Sequence, residues 1–304
     1  MNPLRSTLIA LSEQRGLRAL AERSALGSRL SSRFVAGVKV EDAIRATREL
    51  NARGISVTLD ALGENVLEEA HALRAAGTYH TLLNAIARER LDANISLKLT
   101  QMGVDLGNGT AEDLVSKLAE KAESVGSFVR VDMEGSAYTE ATIALVRRIH
   151  AVNGSIGIVI QSYLRRSEED VRALLREGIR IRLCKGAYQE PAEIAYADKA
   201  EVDASYVRLM QMLLTSGIFH GLATHDEAMI REAKAFARAE GISPAGFEFQ
   251  MLYGIRRDLQ EGLVKEGYRV RVYVPFGEEW YPYFMRRLAE RPANALFLAR
   301  NLFR

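Results

Sequence analysis

A barrel of eight parallel strands, each followed by a helix, is the fold class that this 304-residue sequence predicts. Three observations carry the expectation. Short apolar, β-branched runs recur eight times, stretches of helical periodicity separate them, and the series fills about 250 residues without a linker or low-complexity tract. An open, doubly wound sheet would show a GxGxxG turn after its first strand, and none occurs there.

Residues 3–31 read as a broken helix interrupted at Gly16 and Gly27, and 38–53 as a cleaner one ending at Gly54. Residues 1–54 are therefore expected to form a helical arm ahead of a barrel at 55–304. Strands are predicted at 55–59, 94–99, 128–133, 156–160, 179–184, 219–223, 246–252 and 269–274. Between them helices are predicted near 64–76, 111–124, 139–152, 168–177, 203–216, 226–240 and 256–266. Thr110, Ser167 and Asp226 are residue types that cap a helix start, while Gly77, Gly178, Gly241 and Gly267 stand where helices should stop. The connection 186–202 is longer than the others, and 278–304 extends past the eighth strand.

Composition narrows the function. The net charge is +2 and the basic residues are scattered, which argues against nucleic acid as a partner. Of the 41 basic residues 33 are arginine, so the position of each of the eight lysines is informative. A lone cysteine, Cys184, excludes an internal disulfide, and five histidines without HxH or HExxH spacing argue against a metal site. No apolar run approaches the ~20 residues that span a bilayer. Residues 1–34 carry six arginines among leucines, a pattern that suits either packing on the barrel or peripheral contact with an anionic membrane surface. The expected location is cytoplasmic, with such contact at the inner membrane.

The stretch RIRLCKGAY at 180–188 is the most informative. Arg180 and Arg182 share one face of a short strand and Ile181 and Leu183 the other. An arginine-bearing face inside a core is costly unless it meets an anion. Small residues after Lys185 let the backbone approach a ligand. In a barrel of this kind the site lies at the carboxyl ends of the strands. That edge collects Asp60, Glu64, Lys98, Asp132, Glu134, Gln161, Arg182, Lys185, Thr224, His225, Asp226, Gln250 and Tyr273. Farther on, Tyr283, Arg286, Arg287 and Glu290 fall on one face of a helix expected past Pro282, with Trp280, Phe284 and Leu288 beside them. The pattern suits a plain amphipathic helix, Glu290 pairing with Arg286, or a helix over the barrel mouth whose two guanidiniums clamp a carboxylate.

Five motifs in this order, RLCKGAY, LATHD (222–226), FEFQMLYG (247–254), YVPFG (273–277) and YFMRRLAE (283–290), resemble the flavin-dependent proline dehydrogenases. The likeness is to the monofunctional bacterial form and to the corresponding domain of bifunctional proline-utilisation enzymes, over about residues 55–300. It implies a (β/α)8 barrel holding FAD non-covalently, oxidation of L-proline to Δ1-pyrroline-5-carboxylate, and transfer of the electrons to a membrane quinone. Carried over position by position, it implies Arg182 near the flavin N5 and Met133, Gln161, Lys185, Gly186, Ala187, Thr224, His225 and Gln250 around the cofactor. It further implies Lys98 and Asp132 at the substrate, Arg286 and Arg287 on its carboxylate, and Leu252, Tyr273 and Tyr283 as walls. Glu290 would steady the arginines, and Glu64 would gate the site by pairing with Arg286. A Schiff-base aldolase using Lys98 or Lys185 is the rival enzyme, and a barrel that binds without turnover the rival class.

Overall fold

The computed structural model describes the chain from Ser32 to Glu290, with side chains as far as Met285. Eight parallel strands close into a barrel in sequence order. They are β1 (Ser56–Ala61), β2 (Ala93–Leu97), β3 (Val129–Val131), β4 (Ile156–Gln161), β5 (Arg180–Cys184), β6 (His220–Ala223), β7 (Phe247–Leu252) and β8 (Arg269–Phe276). The seam between β8 and β1 places Thr58 opposite Tyr273 and Asp60 opposite Pro275.

Helix α1 (Val40–Asn51) packs beside β1 and β8 through Ala43, Ile44 and Leu50. The helices that follow the strands are α2 (Glu69–Glu89), α3 (Thr110–Ser124), α4 (Thr139–His150), α5 (Ser167–Arg176), α6 (Lys199–Thr215), α7 (Glu227–Ala239) and α8 (Arg257–Lys265), and α9 (Trp280–Glu290) follows β8. Among the described residues no helix is long and apolar enough to cross a membrane.

Alternation along the strands sorts their residues into two chemical sets. Val57, Leu59, Ile95, Leu97, Val131, Ile158, Ile181, Leu183, Phe249 and Val272 are buried in one continuous core with the helices. Each such apolar burial is worth about 1.5–3 kcal/mol. The intervening positions share register across the seams, for example Ser96 with Arg130, Gly157 with Arg180, and Arg182 with Gly221. These residues face the barrel interior, and many are charged or polar. Arg130, 4 % exposed, donates to the Ile158 and Arg180 carbonyls and lies over the Phe128 ring. Burial, with Arg182 nearby, holds its guanidinium well below the usual arginine range.

His220 is the polar exception among the outward-facing strand residues. Its Nδ1 accepts from the Ile181 N–H at 3.0 Å, and Nε2 lies 3.0 Å from Ser216 Oγ. Burial, reinforced by the Arg130 charge, pushes it down to about 3, so it is a neutral hydrogen-bonding strut.

Three local expectations need correction. Helix α2 does not stop at Gly77 but runs to Glu89, where Arg90 adopts a left-handed cap with φ 52°. Tyr79, Leu82, Leu83 and Ile86 continue the buried stripe begun by Ala72 and Ala76, and that burial outweighs the cost of one glycine. Helix α6 begins at Lys199 rather than 203, because Asp198 caps it by accepting from the Ala200 N–H. Thr110 and Ser167 lie inside the first turns rather than capping them. Asn108 accepts from the Thr110 N–H, and the Ser167 hydroxyl donates to the Gln161 carbonyl. Asp226 does cap α7.

Candidate active site

Arg182 projects from β5 into the barrel interior and is 6 % exposed. Its Nε donates to Gln250 Oε1 on β7. Nη1 donates to Asp132 Oδ1 at 2.8 Å and to Ser96 Oγ at 3.2 Å, and Nη2 reaches Thr58 Oγ1 at 3.4 Å. The guanidinium also lies 5.3 Å from the centre of the Tyr273 ring. One cation is thus held by groups from β1, β2 and β7, from β8, and from the residue just past β3. A rigid fork engaged on several sides has one available position.

Asp132 is the hub of the opposite arc. Oδ1 accepts from Arg182 and from Ser96 Oγ (2.6 Å), while Oδ2 accepts the Tyr273 hydroxyl at 2.8 Å. Burial, reinforced by the Asp132 and Asp60 carboxylates, holds the Tyr273 phenol well above its usual range, so it remains a donor. Lys98 follows β2 and places Nζ 3.6 Å from Asp60 Oδ1. Burial opposes its charge, but Asp60, Asp132 and Glu64 prevail, and its pKa lies above the ordinary lysine value. Asp60, 1 % exposed, is raised by burial against the pull of Lys98. Tyr79 stands behind it, donating 3.0 Å to Gln101 Oε1 and 3.5 Å from Asp60.

Lys98 opens on a cleft of about 180 Å³ that it shares with Leu62, Gly63, Glu64, Asn65, Glu279 and Pro282. The first turn of α9 roofs the region. Trp280, Tyr281, Tyr283, Phe284 and Met285 pack with Phe34, Val35 and Ile255 in a second apolar cluster, against which Leu252 and Leu62 also rest. The α9 backbone runs through Glu290, but the side chains of Arg286, Arg287, Leu288 and Glu290 lie outside the described residues.

The remaining expected positions form a second arc at the ends of β3 to β7. Met133 is buried, and Gln161 Nε2 donates to the Glu134 carbonyl at 2.9 Å. Thr224 Oγ1 accepts from the Asp226 N–H, and His225 Nε2 from the Leu252 N–H at 3.0 Å. Gly186 has φ 112°, and a Cβ there would come within 2.2 Å of the Tyr163 ring, so only glycine fits this approach. Ala187 follows it in the irregular stretch after β5. Lys185 is not a free cation. Its Nζ donates to Asp203 and, at 2.7 Å, to Asp226, and it holds Asp226 below the ordinary carboxylate range. Burial pushes the Cys184 thiol up to about 12, which removes it as a nucleophile.

Sequence reasoning placed Asp60 at the rim without a specific role and did not single out Thr58, Tyr79, Ser96, Glu248 or Arg271. All but Tyr79 occupy the polar alternate positions of their strands, so period-two reading of each strand would have found them. Tyr79 lies on a helix and carries no such signal. Among the described residues no group of three or more His, Cys, Asp or Glu is placed to hold a metal.

With this geometry in hand, comparison with known proteins is decisive for the family. Residues 43–300 match the family model described as Proline dehydrogenase. The chain is 42% identical over 284 residues to "Proline dehydrogenase" of Deinococcus radiodurans, covering 90% of each chain. It is 39% identical over 302 residues to "Proline dehydrogenase 1" of Bacillus subtilis subsp. natto, covering 99% of each. Its fold superposes with TM-score 0.82 at 26% identity on proline utilization A from Bdellovibrio bacteriovorus inactivated by N-propargylglycine, over 94% of this chain and 36% of that longer one. This chain belongs to the proline dehydrogenase family of (β/α)8-barrel enzymes.

Proposed function

We propose that the enzyme oxidises L-proline to Δ1-pyrroline-5-carboxylate with non-covalent FAD, and that the electrons pass on to a membrane quinone. The observation that carries the reading is Arg182, a buried cation fixed at the meeting of the two arcs. The residues of the second arc suit a flavin in two respects. Gly186 lets the stretch after β5 pack against the Tyr163 ring, which fixes the backbone that would meet the cofactor. Arg182 offers a positive charge that needs no rearrangement to meet an electron-rich edge. Lys185 suits a phosphate less well, since two aspartates already balance it. When bound, the flavin supplies the acceptor for the hydride.

The protein's own groups orient and tune the substrate. A hydride leaves the carbon beside nitrogen only when that nitrogen carries a lone pair, and the C=N bond forms as it departs. Lys98, held charged at the cleft by Asp60, Asp132 and Glu64, serves to orient the substrate ring rather than to take its proton. Arg286 and Arg287 are proposed to hold the carboxylate and Glu290 to steady them. Leu252, Tyr273 and Tyr283 are the proposed walls, and Glu64 on the cleft the proposed gate. Both oxygens of Asp132 already accept from Arg182, Ser96 and Tyr273. We therefore assign it electrostatic support rather than proton abstraction.

A Schiff-base lysine must reach a neutral amine. Lys98 is held charged beside Asp60, and Lys185 lies between two aspartates, which disfavours the aldolase reading. The basic leucine-rich segment at 1–34 is what supports peripheral contact with an anionic membrane, from a cytoplasmic location. The deciding experiment pairs dye-linked proline oxidation with borohydride trapping. A yellow protein that reduces dye with proline and traps nothing is expected; a colourless protein that traps a carbonyl substrate would refute the proposal.

A further inference from the structure

We propose that Glu248, a carboxylate on the barrel floor, is a positioning residue that fixes the amide of Gln250 and, through it, the guanidinium of Arg182. The inference rests on the reading above in taking Arg182 as the cation that serves the cofactor. Glu248 is 3 % exposed and lies two residues before Gln250 on the same interior face of β7. Its Oε1 accepts from Gln250 Nε2 at 2.5 Å and from Arg271 Nε at 2.8 Å. Gln250 in turn presents Oε1 to Arg182 Nε.

A glutamine amide can ordinarily sit either way round, because its two ends are nearly the same shape. Here it lies between a carboxylate, which only accepts, and a guanidinium, which only donates. Only one orientation makes both hydrogen bonds. The flipped amide sets oxygen against oxygen at Glu248 and N–H against N–H at Arg182, leaving buried groups unpaired.

The surrounding barrel is built around this arrangement. Register aligns Arg182 on β5, Gly221 on β6 and Glu248 on β7. A Cβ at Gly221 would lie 2.3 Å from Gln250 Nε2, so the amide occupies the space that glycine leaves. Arg271 secures Glu248 from the far side, donating Nη1 to the Val57 carbonyl at 2.7 Å. Arg130 also faces Glu248 electrostatically across the interior, so the carboxylate balances more than one buried guanidinium.

The test uses the holoenzyme with Glu248→Gln, whose uncharged amide no longer dictates which way Gln250 points. Proline-driven flavin reduction should slow by about tenfold, the scale of one lost hydrogen bond, with proline affinity unchanged. In Glu248→Asp, which keeps the buried charge, the flavin midpoint potential should fall, because a mobile Arg182 stabilises the reduced form less. Neither effect should appear when the same change is made in an Arg182→Met background, whereas a purely structural role for Glu248 would persist there. Glu248→Asp keeps the charge but withdraws the acceptor from Gln250 Nε2. It provides the measurement if Glu248→Gln does not fold, and it should reproduce the slowed reduction. Reduction rates within twofold of wild type in either variant, a midpoint potential unchanged in Glu248→Asp, or a loss undiminished in the Arg182→Met background, would overturn the inference. A wild-type protein that neither binds FAD nor oxidises proline would instead sink the functional reading, and the inference with it.

Discussion

Replacing Asp132 with asparagine should break the ion pair with Arg182 that joins the two arcs. In the wild type, Asp132 accepts from Arg182 at 2.8 Å, Ser96 at 2.6 Å and Tyr273 at 2.8 Å. Asparagine keeps one acceptor oxygen but turns the other position into a donor that faces either the Tyr273 hydroxyl or the guanidinium. At least one hydrogen bond to a charged group is lost, worth about 1.5–3 kcal/mol. Coulomb attraction in this buried pair, 7% and 15% exposed, is lost as well. We expect the variant to be less stable by about 2 kcal/mol in urea unfolding and to turn over proline on the order of 10–100-fold more slowly. A double-mutant cycle with Arg182→Met isolates the pair. The two changes together should cost at least ~1.5 kcal/mol less than the sum of the single costs. Additivity to within about 0.5 kcal/mol would refute the coupling. Turnover reduced to background with flavin content and proline affinity intact would make Asp132 the base instead.

Three further outcomes follow from other parts of the molecule. His220, pushed down to about 3 from an ordinary 6.5, binds its proton only in the unfolded chain between those values. Stability should therefore decline as pH falls below about 6.5, by a total on the order of 4 kcal/mol near pH 3, and His220→Asn should flatten that slope in acid denaturation. An unchanged slope would show that His220 is not the responsible group. Gly186→Ala should place a methyl against the Tyr163 ring at a φ that alanine disfavours, lowering FAD content in the purified protein; full flavin occupancy would contradict the close approach. Arg286→Lys or Arg287→Lys should raise the proline KM far more than it changes FAD content, since an ammonium cannot reproduce a bidentate contact. Flavin loss at unchanged proline affinity would contradict the carboxylate assignment.

The barrel was legible because its outward strand residues are almost uniformly aliphatic and its helices carry regular buried stripes. The point at which α2 stops was not, since Gly77 is compatible with both a stop and an exposed helical site, and only the tertiary burial of Tyr79 and Leu82 decides between them. Within the site, Arg182 was visible as a charge in an otherwise buried strand. Its dependence on Thr58, Ser96 and Gln250 was invisible, because those contacts span 124, 86 and 68 residues of sequence. Lys185 shows the limit in the other direction. A scarce lysine at a strand end reads as a ligand-facing cation, yet Asp203, in the next helix, engages it.

The central claim is that a cation locked into the barrel interior accelerates the oxidation of an imino acid bound beside it. Anaerobic mixing of the flavin-loaded enzyme with L-proline, following the flavin absorbance in a stopped-flow instrument for wild type and Arg182→Met, tests it most directly. The flavin of the wild type should bleach rapidly, and the variant should bind proline comparably but bleach at least about tenfold more slowly. Equal bleaching rates in the two proteins would contradict the account.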